Sequence, residues 1–475
     1  MLTLALLFIP AFFGLMMFLS SDLSKKLAWV GSLINAALAI GAAVAVSYGK
    51  TELLEFDGGN IAPLGAHFAL SINATSILMV LLNACLLPFI VHVASKHEMR
   101  NESAFLSLIL FMSSAMMGAF LANDSFLFYI CYEAALVPIY FIILQWSSAE
   151  NKSKIVLKFF VYTLFASLFM LFSLLYVRQF ADSFLISDMI AAGSKLSQHE
   201  QVWVFAGFFI AFAVKIPIFP FHTWQPNTYK AAPTAGTMLL AAVMLKMATY
   251  GLLRITMPMV PAGAENADWA MWLCVISIIY ASFVALNQTS FKLLIAYSSI
   301  AHVGMIALGI LANGNTAYEG ALIEMVSHGA IAVGLFFIAD MIESRVGHDH
   351  FNKLGGLREK HPAFAFLFFV IVMASVALPL TSGFVGEFLL LQSVGSHNIV
   401  MALLAGLTVV FGAVYMLRAF QSTMLGKHNA ELAFAEMTAS EKMVLTILVI
   451  ITIAIGVYPG MLLDVVHKGL QLTGI

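Results

Sequence analysis

Charge is scarce in this sequence. Only 10% of its 475 residues are Asp, Glu, Lys or Arg, against 61% hydrophobic residues, too few to clothe a surface that faces water. Cysteine is scarcer still. Cys85, Cys131 and Cys274 stand singly within apolar runs, with neither CxxC spacing nor histidine partners, which argues against a disulfide framework or a cysteine-held metal. They read as small packing residues. The sequence has no Walker loop, no dinucleotide fingerprint and no nucleophile elbow, so it points to no cofactor, no metal and no redox chemistry on this chain. Nothing in its charge points to nucleic acid. The strict alternation of a membrane barrel is missing too.

What is abundant is long apolar runs, each able to cross a hydrocarbon core of about 30 Å at 1.5 Å per residue. Fourteen candidate helices lie near residues 2–20, 27–47, 74–94, 104–121, 124–145, 157–177, 201–221, 233–253, 269–286, 293–311, 318–341, 362–392, 399–417 and 443–460. The expected fold is an all-α integral membrane protein in contact with lipid. The opening run has no basic segment before it and no cleavage site after it, so it reads as a retained span. Sixteen Lys and Arg fall in the odd-numbered loops and five in the even loops and tail, which places both termini outside and the odd loops in the cytoplasm.

Two of the 23 basic residues remain unplaced by that count. Lys215 stands in "AFAVKIPIFPFHTW" and Lys246 in "LLAAVMLKMATYG", both inside apolar runs. Four more titratable groups share this position: Glu133 in "FYICYEAALVPIYF", His302 in "SSIAHVGM", His328 in "EMVSHGA" and Glu387 in "LPLTSGFVGEF". A charge near mid-membrane costs about 2.5 to 3.5 kcal/mol on insertion scales, so such residues default to a functional reading. The plain alternatives are a structural salt bridge and hydrogen-bonded packing histidines. Structural pairing needs two groups, whereas six occur on six different spans. The Met and Phe residues read as packing and lipid-facing side chains. The loop "VGHDHF", with His348 and His350, reads as a solvated turn, because a lone HxH is a weak metal signal.

Pro217, Pro220 and Pro226 remove backbone donors from the seventh run, and Pro379 with Gly383 interrupts the twelfth. Membranes tolerate such breaks only where the freed backbone faces protein or a wet cavity. Each broken run is the fourth member of a block of five. Five is odd, so the second block enters from the opposite face, giving two inverted five-helix repeats. The expected organisation is 1–103 (three N-terminal helices), 104–256 (first repeat), 257–420 (second repeat) and 421–475 (last helix and tail).

"FYICYEAALVPIYFIILQW", "FAVKIPIFPFHTWQPNTYKAAPTAGTMLLAAVMLKMATYGLLR", "SFKLLIAYSSIAHVGM" and "GFVGEF" together resemble the antiporter-like membrane subunits of respiratory complex I. Their relatives in multisubunit cation/proton antiporters and membrane hydrogenases share the pattern. Within that family the L-type and N-type subunits and the antiporters carry lysine at the broken twelfth helix, while the M-type branch carries glutamate, as Glu387 does here. The resemblance implies a subunit of a proton-translocating NADH:quinone oxidoreductase in a bacterial inner membrane, beside L-type and N-type paralogues. NADH, FMN, iron–sulfur clusters and quinone then belong to partner subunits.

It also implies roles. Glu133 and Lys215 form an ion pair at the first half-channel, Lys246 relays, His302 and His328 bridge the repeats, and Glu387 is the terminal proton site. Switching a partner carboxylate changes the proton affinity of a buried lysine by roughly 4 to 7 kcal/mol. Moving one charge against the membrane costs about 2.3 kcal/mol per 100 mV, so such a switch can drive a proton uphill. The family commonly has Asp and His where this chain has Asn227 and Tyr229, and a frequent Asp where it has Asn73, so no role passes to these. Glu324 is unusual for the family. One turn before His328 on the same helix face, it either extends the proton path or pairs with that histidine.

Overall fold

The computed structural model describes residues 1–50, 54–61, 65–426 and 434–473, so part of the 421–475 segment lies outside the described residues. The apolar runs are mostly helical among the described residues, with non-helical breaks inside the seventh and twelfth. By length and composition, eleven helices among the described residues could cross a membrane. The other three runs are the helices Leu2–Leu19, Gln198–Lys215 and the pair Pro362–Ser375 and Ser382–His397.

Both expected breaks are present. The Gln198–Lys215 helix starts from a capping box, in which the Ser197 side chain accepts from the Glu200 amide and the Glu200 carboxylate accepts from the Ser197 amide. It ends at Lys215, just before Pro217. In the twelfth run the helix stops at Ser375 and restarts at Ser382. Between them Ala377 and Leu380 hold left-handed φ of 54° and 75°, a conformation that costs a residue with a Cβ about 1 to 3 kcal/mol and persists where the surroundings enforce it.

One element departs from the all-helical expectation. Glu55–Ile61 and Ala66–Ser71 form an antiparallel hairpin, with Glu55 opposite Ser71 and Ile61 opposite Ala66. It anchors the start of the helix after Asp124. The His67 amide donates to one Asp124 oxygen at 2.7 Å, while the other oxygen accepts from the Phe126 and Leu127 amides at 2.9 Å. Asp124 thereby caps Ser125–Ala134, the helix that carries Glu133.

The chain divides into two compact units. The first takes Met1–Ile216, Ala231–Met271 and the residues from Leu462 on; the second takes Pro217–Lys230 and Trp272–Met461. In the second unit small residues set helix spacing, as is usual where lipid removes the hydrophobic drive between helices. A Cβ on Gly386 would lie 2.5 to 2.8 Å from Glu324 atoms, and one on Gly320 would lie 2.9 Å from the Leu389 side chain. Both glycines therefore hold Ser382–His397 tightly against Asn315–Val346.

Candidate functional site

In the first unit the site is built around Lys215, which is 1% exposed. Its ammonium donates to the Tyr132 carbonyl at 2.9 Å and lies 3.3 Å from the centre of the Tyr132 ring. Sequence and backbone explain both contacts. Tyr132 falls in the last turn of Ser125–Ala134, where carbonyls lose their intrahelical partners, and Lys215 is the last residue of its own helix. An ammonium at the C-terminal ends of helices is favoured by their dipoles, and the ring face adds a cation–π attraction.

Glu133 and Lys215 make no contact within 4 Å, but they lie close enough for their charges to act on each other. The Glu133 carboxylate oxygens are shut off from solvent beside Ser167, while the residue as a whole is only half-buried.

Lys246 is fully buried, and its ammonium donates to the Ala241 carbonyl at 2.7 Å, five residues back. That reach depends on an irregularity: the backbone is π-helical over Leu240–Met244 and again over Leu252–Thr256. Such turns concentrate at functional positions. No Pro or Gly lies within the first of them, so nothing in the local sequence marks it.

The second unit gathers three of the six titratable groups, His302, His328 and Glu387, in one cavity with Glu324, lined also by Ser298, Ser299 and Ser375. His302 Nδ1 meets Glu387 Oε1 at 2.6 Å, and the His302 and His328 ring centres lie 5.9 Å apart. Glu324 and Glu387 are 2% and 3% exposed. One ligand atom from each of His302, Glu324 and Glu387 lies within 4.8 Å of the others, a donor set that could hold a cation. No Lys or Arg lines the cavity. The Tyr415 hydroxyl closes one side by donating to Ser298 at 3.1 Å, and Ser327 and Ser382 join the two flanking helices at 2.7 Å.

The Pro217–Lys230 stretch also packs within the second unit. The Phe219 amide donates to Ser277 Oγ at 3.1 Å, the His222 ring lies 4.8 Å from that of Tyr280, and Tyr229 lies 5.7 Å from Phe336. His222 and Tyr229 are buried polar residues outside the six singled out by sequence. Their signal was there, a polar cluster directly after paired prolines. The VGHDHF loop proves to be a helix-start device. Asp349 accepts from the Ser290 hydroxyl, and its carbonyl accepts from the Phe291 amide at 2.9 Å.

The comparisons agree with this architecture. A family model described as NADH:quinone oxidoreductase/Mrp antiporter, TM, matches residues 122–412. NADH-quinone oxidoreductase subunit M of Rickettsia typhi is 37% identical over 434 residues, covering 88% of this chain and 87% of that protein. Among solved structures, a chain of respiratory complex I from Thermus thermophilus superposes with a TM-score of 0.90 at 28% identity, covering 99% of each chain. A chain of the Mrp complex from Dietzia sp. DQ12-45-1b reaches 0.86 at 19% identity, covering 98% and 96%, a likeness of fold alone. With a matched core that spans both broken helices, and relatives aligned over most of its length, the chain belongs to the NADH:quinone oxidoreductase/Mrp antiporter membrane family.

Proposed function

We propose that this chain is the M-type, proton-translocating, antiporter-like membrane subunit of a bacterial respiratory NADH:quinone oxidoreductase. The observation that carries the reading is the pair of interrupted helices, each beside buried titratable groups that have no structural need to be ionisable. The blocks 104–256 and 257–420 are the two half-channels, inverted in the membrane, with 1–103 and 421–475 flanking them and both termini on the outer side. NADH, FMN, iron–sulfur clusters and quinone sit on partner subunits, and L-type and N-type paralogues are neighbours. The driving energy enters from quinone reduction there.

Lys215 is the cation that a charge on Glu133 holds or releases. Two unit charges about 6 Å apart at an effective dielectric near 20 interact by roughly 3 kcal/mol, comparable with the roughly 2.3 kcal/mol needed to move one charge through 100 mV. A contact ion pair is therefore unnecessary. A Glu133 that is near but not touching already controls where the proton rests, and turning it away or neutralising it frees the proton for Lys246. Lys246 passes it on towards His302 and His328, and Glu387 releases it outward. An antiporter or membrane hydrogenase subunit would use the same fold, but a carboxylate at position 387 fits the M-type branch.

The test uses the intact complex in inverted membrane vesicles. Lys215→Ala and Glu387→Gln each lower proton uptake and quinone reductase rate by about tenfold or more, while native gels show normal assembly. Assembly lost in proportion to activity in both variants would reduce these residues to structural roles.

A further inference from the structure

Glu324 has no place in the pathway above, although it lies in the same cavity as Glu387. Its carboxylate comes within 4.8 Å of both His302 and Glu387, and Gly386 leaves the room for it, since a Cβ there would collide with Glu324 Oε2 at 2.5 Å. Two buried polar atoms in this cluster, Glu387 Oε2 and His302 Nε2, make no hydrogen bond.

A metal ion is the poorer occupant. Donors on a tetrahedral metal at about 2.0 to 2.1 Å stand roughly 3.3 Å from one another, whereas His302 Nδ1 and Glu387 Oε1 are 2.6 Å apart, the separation of two groups sharing a proton. Charge leads to the same occupant. The groups facing the cluster are His302 from Phe291–Ala312, His328 from Asn315–Val346 and Tyr415 from Ile399–Met424; Pro362–Ser375 brings no titratable side chain, and the Glu441 of Ala439–Val457 pairs with Arg345 at 2.7 Å. No fixed cation is among the lining residues, and two carboxylates this close out of water do not both ionise.

We propose that Glu324 and Glu387 form a carboxylate pair that shares one proton, making Glu324 a second proton-binding group of the exit site. The inference rests on the proposed pathway. In the loading step a His302 imidazolium gives its Nδ1 proton to Glu387: the N–H bond breaks, an O–H bond forms, and neutral imidazole remains. The Glu324 carboxylate then holds that proton by its negative charge. Release to water on the outer side breaks the O–H bond once the next proton has reached His302, so that an imidazolium balances the two carboxylates at that moment and then reloads the pair.

The experiment measures proton uptake against pH in vesicles carrying the intact complex, together with the infrared band of protonated carboxyl groups, for Glu324→Gln, Glu324→Asp and Glu387→Gln. Removing the Glu324 charge weakens proton binding by its partner, so Glu324→Gln moves the alkaline limb of the profile to lower pH by about one unit or more. Glu324→Asp largely restores it, and the protonated-carboxyl band falls in both Gln variants. A Glu324→Gln complex with the parent's profile and band, beside an inactive Glu387→Gln, overturns the pair while leaving the pathway intact. If Glu387→Gln also pumps like the parent, the pathway fails and the pair with it. Should Glu324→Gln not assemble, Glu324→Asp decides: a displaced carboxyl band supports sharing, and an undisplaced one overturns it.

Discussion

The two units solve the problem of a buried ionisable group in opposite ways. In the first, a single ammonium rests on a backbone carbonyl and an aromatic face, and its carboxylate stands off. In the second, two carboxylates and two imidazoles crowd one cavity, and His302 touches Glu387. The helix breaks account for part of the contrast. Lys215 closes its helix, at the end where dipoles favour a cation, whereas Glu387 lies within two turns of the start of Ser382–His397, the end that favours an anion. A lone charge suits a group whose proton is governed from a distance. A cluster suits one that must accept, share and release.

Exchanging the charges breaks this comparison most severely. Lys215→Glu sets a carboxylate against the Tyr132 carbonyl and ring face, both repulsive, so proton uptake falls about tenfold or more, measured in inverted vesicles with assembly checked on native gels. Glu387→Lys keeps a substantial part of the activity, because a cation there has two acceptors, Glu324 and His302, in reach. Equal damage from the two changes would show that the units do not differ in this way.

A smaller effect belongs to the glycine that admits Glu324. Gly386→Ala forces a methyl group into the Glu324 side chain and costs about 1 to 3 kcal/mol by overpacking, read as a lowered thermal midpoint of the purified complex. Gly395→Ala, whose new Cβ meets nothing closer than 3.7 Å, leaves that midpoint in place. The smallest effect concerns the ring beneath Lys215. Tyr132→Phe keeps the cation–π face and stays near the parental rate, while Tyr132→Leu loses about 0.5 to 1 kcal/mol and slows uptake roughly two- to fivefold. Identical rates for Phe and Leu would leave the carbonyl as the only significant contact.

Much of this was legible in the sequence because membrane helices announce themselves locally. Fourteen apolar runs, prolines at 217, 220 and 379, and six ionisable residues within those runs needed no tertiary information. What escaped depended on distant partners or on silent backbone changes. The hairpin over residues 55–71 is short, glycine-interrupted and pinned by Asp124, more than fifty residues on. The π turn before Lys246 contains no breaker. The stand-off between Glu133 and Lys215 reflects which carbonyl the ammonium reached, and the Glu324–Glu387 approach requires knowing that Gly386 faces Glu324. Position on a helix was readable; the neighbour across the gap was not.

The assignment of Pro217–Lys230 to the second unit also bears on how the protein is made. Tyr229 meets Phe336, 107 residues further along the chain, and the Phe219 amide waits for Ser277. At about 5 to 20 residues per second, a ribosome needs roughly 5 to 20 seconds to supply that aromatic partner. Throughout that interval a stretch rich in proline and polar groups has left the translation channel without its final neighbours. Membrane insertion of this chain therefore includes a waiting period in which the insertion machinery, or lipid headgroups, must shelter the segment, and a nascent chain arrested before Ser277 would present it as a protease-sensitive site.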